Sequence, residues 1–133
     1  MTRGTVRIGI TMGDPAGIGP EVLIKSLNQN DWPANTEFIV FGSHRLLTQE
    51  ARALDLEMPG VQIQDVGPDA ELGQLTWGES SPVAATIQLR AFQKAVDAVT
   101  SGTVDAIVTA PWTKHQFELI DREPIGHTDI LAD

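Results

Sequence analysis

Short apolar runs alternate with stretches of helical periodicity along this chain, and the same order occurs three times. The β-branched run "VRIGIT" (6–11) is followed by a Gly/Pro loop and then by "PEVLIKSLNQ", where Leu23 and Leu27 share one helical face. "EFIVFG" (37–42) leads through the turn "SHR" into "LLTQEARALDL", and "VDAIVTA" (104–110) leads through "PWTK" into "HQFELI". Each predicted strand is therefore followed by a predicted helix.

This alternation predicts an α/β fold with a largely parallel sheet and helices on both faces. Parallel neighbours need crossover connections, and a helix is the usual one. The run "VQIQDV" (61–66) alternates in polarity and predicts a further strand, placed at an edge of the sheet.

A long helix is predicted to begin near Pro82 and to stop at Ser101-Gly102. Its apolar residues have the spacing of a single buried face. We interpret this helix as purely structural. The predicted stripe consists of Leu89, Phe92, Val96 and Val99.

The carboxyl ends of the predicted strands give the expected position of a ligand site. In an open parallel sheet the ligand lies outside these ends, so the loops that follow the strands face one crevice. Asp14, His44 and Lys114 lie in those loops. We therefore expect these three residues to line the crevice.

The stretch "TMGDPAGIGPE" (11–21) resembles a nucleotide-binding glycine loop but matches neither known template. A Walker A loop needs Lys and then Ser or Thr after its last glycine, whereas Pro20 and Glu21 follow here. The dinucleotide fingerprint fails at its third small position. Asp14 and Glu21 also place negative charge where a phosphate would sit.

We interpret the glycines of this loop as sites of positive φ or of close approach by another segment. Pro15 and Pro20 stiffen the turn. Phosphate binding by backbone N–H groups at the start of the following helix is the weaker alternative.

The second informative stretch is "EPIGHTDILAD" (123–133). Gly126 permits a strained backbone, His127 is exposed by the turn, and Thr128 suits the N-cap of a helix. His127 is thus a candidate for contact with an oxyanion, although a lone histidine is more often an ordinary surface residue. The predicted helix has barely begun at Asp133, so we expect the chain to be unfinished.

Composition excludes several classes of protein. The 133 residues are 41% hydrophobic and 20% charged, as in one ordinary globular domain or a piece of a larger one. A formal charge of −9 disfavours nucleic acid and anionic membranes as partners. The absence of cysteine excludes disulfides and thiolate chemistry. Without a leader-like or membrane-spanning apolar stretch, the expected location is the cytoplasm.

Three segments together carry a family resemblance. "GITMGDPAGIGPE", "GTVDAIVTAPWTK" and "GHTDILAD", in this order, resemble the N-terminal part of the 4-hydroxythreonine-4-phosphate dehydrogenase family of pyridoxal phosphate biosynthesis. The match runs from near residue 6 to the end. It implies part of an isocitrate/isopropylmalate dehydrogenase-like fold, a homodimer, NAD or NADP as cofactor, and a divalent metal.

The resemblance also implies roles for particular residues. The substrate-binding His-Thr pair of the family falls on His127 and Thr128, and Lys114 matches the lysine after "TAP". Asp129 replaces a usual glutamate, and "WT" (112–113) replaces a smaller or more polar pair. The candidate wall of the active site consists of Lys114, Asp14, Gly17, Gly19 and Thr109.

The implied activity is the oxidation and decarboxylation of 4-phosphohydroxy-L-threonine by an enzyme that contains this chain. Alternatives are a related four-carbon substrate, D-threonate or D-erythronate 4-phosphate, and a non-catalytic α/β module that binds a small anion or a partner. Residues 1–133 are expected to form one α/β segment, the N-terminal part of a longer two-domain enzyme. The resemblance places the metal-binding histidines and phosphate-binding residues downstream, so the isolated chain is expected to be inactive. No catalytic residue or metal ligand is assigned in it.

Overall fold

The computed structural model describes residues 4–29, 31–66, 75–120 and Leu131. Strands and helices alternate through these residues. In chain order they are β1 (Val6–Thr11), α1 (Gly19–Leu27), β2 (Thr36–Gly42), α2 (His44–Ala53), β3 (Gln62–Asp65), α3 (Pro82–Thr100), β4 (Ala106–Thr109) and a 3₁₀ helix (Lys114–Ile120).

The four described strands form one parallel sheet in the order β3-β2-β1-β4. The central strand β1 pairs through Ile8 with Phe38 of β2 on one side and with Ala106 of β4 on the other. The helices α1 and α2 connect strands that step away from β1, whereas α3 returns the chain to its opposite side. Because such crossovers are right-handed, α3 covers the other face of the sheet. The predicted α/β fold with helices on both faces is confirmed, and "VQIQDV" supplies the predicted edge strand.

The face that α3 covers is tightly packed at the centre of the sheet. α3 contacts β1, β2 and β4. A Cβ added at Gly9 would lie 3.0 Å from the ring of Phe41 and 3.4 Å from Val104, so the missing side chain makes room for both. Phe41 and Val104 are almost completely buried. This core fixes β1, β2 and β4 relative to one another.

Two local predictions need correction. The predicted turn "SHR" (43–45) is wrong beyond its first residue, because α2 already begins at His44. Ser43 is the N-cap of this helix, and its hydroxyl accepts a hydrogen bond from the N–H of Leu46 at 3.1 Å. The buried stripe of α3 is also partly wrong, since Val96 and Val99 are only half-buried. The fully covered face of α3 is built mainly from small residues and one glutamine. It comprises Ala84, Ala85, Ile87, Gln88, Leu89, Ala91, Phe92, Ala95 and Ala98.

The bounds of α3 agree with the prediction. The helix begins at Pro82 behind the N-cap Ser81 and ends before Gly102, which has a φ of 82°. Although α3 is the longest helix, no helix among the described residues is long and apolar enough to cross a membrane.

Candidate active site at the carboxyl edge of the sheet

From β1 the chain adds β2 and β3 on one side of the sheet and then returns to add β4 on the other side of β1. The strands β1 and β4 are neighbours, but the loop after β1 leads to α1, whereas the loop after β4 leads to the 3₁₀ helix, which contacts α3 on the other face. Such a switch point is where open α/β sheets bind ligands. Here the two loops touch, since the N–H of Asp14 donates to the carbonyl of Pro111 at 3.0 Å.

Close approach of the backbone explains the glycines in the loop after β1. Gly13 has a φ of 77°, and a Cβ there would collide with the carbonyl oxygen of Pro111. A Cβ at Gly19 would collide with the carbonyl oxygen of Met12. The interpretation of these glycines as sites of positive φ or close approach is confirmed at both positions. At Gly17, a Cβ would meet the Asp14 carboxylate at 3.1 Å.

The carboxylate of Asp14 joins the two loops. One oxygen accepts from the N–H of Ala16 at 2.9 Å, and the other accepts from the hydroxyl of Thr113 at 2.6 Å. Asp14 is buried, with 7% of its surface exposed. Both oxygens of this side chain are therefore used within the protein, and together they connect the loop after β1 to Thr113.

A polar network that the sequence did not predict holds Thr113 from the other side. The side-chain amide of Gln88, on α3, donates to the carbonyl of Thr113 at 2.9 Å and accepts from its N–H at 3.2 Å. Gln116 donates to the oxygen of the same amide at 3.2 Å. Both glutamines are completely buried. A glutamine at helical spacing within an apolar stripe was the available signal.

Trp112 anchors the same loop through aromatic contacts. Its ring lies edge-on to Phe92 of α3 at a centroid distance of 5.2 Å and to Phe117 of the 3₁₀ helix at 4.9 Å. The Trp-Thr pair that departs from the family pattern therefore has a clear local purpose. Trp112 packs into the core, and Thr113 bonds to Asp14.

Lys114 follows this anchored pair directly and is exposed at the start of the 3₁₀ helix. Within the described parts of the chain, no ion pair to its ammonium is found. Thr109 ends β4 and is half-buried. Lys114 is thus a cation beside the switch point that a ligand can reach.

His44 does not join this group. Its N–H donates to Asp65 at 2.8 Å, and its carbonyl accepts from the hydroxyl of Thr48. These contacts place it on the β2–β3 side of the carboxyl edge. The expectation that His44 shares the crevice with Asp14 and Lys114 receives no support from any described contact.

The predicted substrate-binding pair, His127 and Thr128, lies outside the described residues. Over residues 4–29, 31–66 and 75–120, no three His, Asp or Glu side chains converge to hold a metal ion. The described residues therefore do not fit the metal that the family resemblance implies. What they form is a carboxyl edge joined by hydrogen bonds, with the exposed Lys114 beside it.

The fold and this edge define a parallel α/β protein of the class that binds its ligands at a switch point. The chain belongs to the family described as "Pyridoxal phosphate biosynthetic protein PdxA", whose model matches residues 34–133.

The names of the curated relatives specify two different substrates. One is a protein of Oceanobacillus iheyensis named "Putative D-threonate 4-phosphate dehydrogenase", 34% identical over 95% of this chain and 42% of its own length. Another is the 4-hydroxythreonine-4-phosphate dehydrogenase of Synechocystis, 33% identical over 95% of this chain and 38% of its own length. The chain thus spans about two fifths of the length of these relatives.

Solved structures give the same result. The 4-hydroxythreonine-4-phosphate dehydrogenase from Burkholderia phymatum matches with a TM-score of 0.83 and 30% identity, over 98% of this chain and 43% of that one. The enzyme from Klebsiella pneumoniae matches with the same score and identity, over 96% and 44%. The partial isocitrate/isopropylmalate dehydrogenase-like fold is thereby confirmed.

Proposed function

We propose that the complete protein is an NAD(P)-dependent dehydrogenase that oxidises and decarboxylates 4-phosphohydroxy-L-threonine, and that this chain supplies one wall of its substrate site. Family membership supports the class of reaction. The observation that carries the role of this chain is the joined pair of loops at the switch point, with Lys114 exposed beside them.

The chemistry explains why a cation is needed there. The substrate carries a carboxylate and a phosphate, and the chain has a formal charge of −9. When bound, the nicotinamide would accept a hydride from the carbon that bears the hydroxyl, while the hydroxyl gives up its proton. The resulting keto acid would lose its carboxylate as carbon dioxide and take up a proton in its place. Lys114, adjacent to the anchored Thr113, offsets part of the substrate's negative charge during binding.

The remaining contacts in this proposal come from His127 and Thr128. His127 contacts the substrate, and Thr128 offers its hydroxyl or the N–H groups at the start of a helix. The glycine loop serves as a wall, because Gly13 and Gly19 accommodate backbone carbonyls. A divalent metal, homodimerisation and a cytoplasmic location belong to the proposal through the family resemblance alone.

A second substrate is D-threonate 4-phosphate, which the name of a 34% identical relative favours. D-erythronate 4-phosphate belongs to the same class of four-carbon acid phosphates. These compounds have a hydroxyl group where 4-phosphohydroxy-L-threonine has an amino group. The oxidation and the loss of carbon dioxide are the same for all three.

The test is a direct assay of the complete protein with each phosphorylated substrate, NAD or NADP, and a divalent metal. We expect formation of reduced nicotinamide together with release of carbon dioxide, and a clear preference for one substrate. The 133-residue chain alone is expected to give no turnover. If the complete protein oxidises none of these substrates yet binds inorganic phosphate in calorimetry, the non-catalytic, anion-binding alternative is correct instead.

A further inference from the structure

Gln88 is a completely buried polar residue on a helix that otherwise presents Ala, Ile, Leu and Phe to the core. Its side-chain amide bonds to both main-chain groups of one loop residue, donating to the carbonyl of Thr113 at 2.9 Å and accepting from its N–H at 3.2 Å. A buried amide group that lost these partners would be costly to keep. Gln88 therefore holds the backbone of Thr113.

The orientation of the Gln88 amide is fixed by a second glutamine. Its oxygen also accepts from the side-chain nitrogen of Gln116 at 3.2 Å, so two donors point at the same atom. A flipped amide would direct its NH₂ group against both donors. Gln116 is held in turn, because its oxygen accepts from the N–H of Ser81, the N-cap of α3, at 3.1 Å.

Thr113 is consequently fixed through all its polar atoms. Its N–H and carbonyl bond to Gln88, and its hydroxyl donates to Asp14 at 2.6 Å. The next residue is Lys114, the exposed cation of the candidate site. Since hydrogen bonds hold the N–H and the carbonyl of Thr113, the Cα of Lys114 starts from a defined position. Only the rotamers of its side chain remain to be ordered when a ligand binds.

We propose that Gln88 is a positioning residue, which acts through Thr113 to place Lys114 for binding of the phosphorylated substrate. This inference rests on the proposed function. The network links the helix that covers one face of the sheet to both loops of the switch point. It gives a functional role to a residue of a helix that the sequence pattern marked as purely structural.

The test compares three variants of the complete protein. Gln88→Leu removes every hydrogen bond of the amide and keeps a similar volume. Gln93→Leu is the matched control, because Gln93 is an exposed residue of the same helix. Lys114→Ala supplies the second background for a double-mutant cycle.

We expect Gln88→Leu to raise KM for the phosphorylated substrate about tenfold with a smaller change in kcat, since a displacement of about 1 Å is costly to a binding site. In the Lys114→Ala background the same change should raise KM less than about twofold, because the residue that it positions is gone. Gln93→Leu should behave as wild type. A full tenfold effect in both backgrounds, or no effect in a folded Gln88→Leu protein, contradicts the proposal.

Gln88→Glu keeps the proposal testable if Gln88→Leu fails to fold. The protonated carboxyl can donate to the carbonyl of Thr113 as the amide does, whereas the carboxylate cannot. Burial favours the protonated form of the introduced group. KM for this variant should approach the wild-type value as the pH falls and rise as the pH increases, relative to the wild-type profile. An unchanged pH profile contradicts the proposal.

The activity of the wild-type protein separates failure of the proposed function from failure of the positioning role of Gln88. If the wild-type protein oxidises none of the substrates, the proposed function is wrong, and inorganic phosphate becomes the probe. If Gln88→Leu binds phosphate more weakly than Gln93→Leu, and if this difference disappears in the Lys114→Ala background, the positioning role is still supported. Equal phosphate binding by the two leucine variants contradicts it.

Discussion

The two sides of the carboxyl edge are built differently. On the β1–β4 side, a buried carboxylate and two buried glutamines join segments that are far apart in the sequence, such as Asp14 with Thr113 and Gln88 with Gln116. On the β2–β3 side, exposed His44 bonds to exposed Asp65, and the other contact is local, to Thr48. The first side is held by long-range bonds away from water, and the second by a solvated helix start.

This difference indicates which side of the carboxyl edge is held more firmly. Buried polar groups are tolerated when all their partners are present, and such networks specify one arrangement. Exposed hydrogen bonds contribute less, because water competes for the same groups. A site that must hold a small charged substrate in one orientation needs the first kind of support. The contrast therefore supports the proposal that the ligand site lies on the β1–β4 side.

The largest effect should come from Gly13→Ala. A Cβ at this position meets the carbonyl of Pro111 and also requires a strained φ, so we expect a loss of about 4 kcal/mol or more in the free energy of unfolding. Gly102→Ala is the control, since Gly102 has a similar φ but open space around it, and should cost about 1 kcal/mol. Urea denaturation measures both. Equal losses would show that the two loops do not need their close contact.

Asp14→Ala should have the next largest effect. The change leaves the hydroxyl of Thr113 and the N–H of Ala16 without their acceptor, at a cost of about 2 to 3 kcal/mol in unfolding free energy. Asp65→Ala removes the corresponding exposed acceptor on the other side and should cost less than about 1 kcal/mol. Thermal unfolding of both variants measures the difference. A larger loss for Asp65→Ala would reverse the comparison.

His127→Ala tests the residue that the sequence marked but that lies outside the described part of the structure. In the complete protein we expect kcat/KM to fall by an amount equivalent to about 2 kcal/mol, as for the loss of a polar contact to a charged ligand. Steady-state kinetics with the preferred substrate measures this. Unchanged kinetics would return His127 to the status of an ordinary surface histidine.

Lys114→Ala should have the smallest of these effects, because the side chain is exposed and its interaction with the substrate is partly screened. We expect KM to rise about tenfold, equivalent to about 1.4 kcal/mol, with no loss of stability. His44→Ala, on the β2–β3 side, should change KM less than about twofold. If His44→Ala has the greater effect on KM, the ligand site lies on the side that we excluded.

The sequence predicted the elements well where the pattern is local. β1 was predicted with its observed bounds, and α3 was placed correctly by Pro82 and Gly102. The start of α2 was missed, although Ser43 is a good N-cap, because the polar residues after it resemble a turn. The buried face of α3 was partly misjudged, because valines were weighted above the small alanines that allow close packing against the sheet.

The site was predicted less completely, for a physical reason. Lys114 and the glycine loop could be named as candidates, because a glycine-rich loop after a strand and a lysine after "TAP" are visible in one short stretch. The role of Asp14 was not, because its partner Thr113 is 99 residues away. Gln88 was overlooked, since one polar residue within an apolar stripe gives no indication of what it will face.

The sequence by itself determined the order of strands and helices, the α/β class and the failure of the glycine loop as a nucleotide motif. These properties follow from backbone preferences and short-range periodicity. Only the tertiary structure decided that Gly13 and Gly19 make room for carbonyl groups, that Asp14 joins two loops, and that Gln88 holds the residue before Lys114. Each of these depends on which distant groups meet when the other strands and helices pack around β1, and a linear pattern does not contain that information.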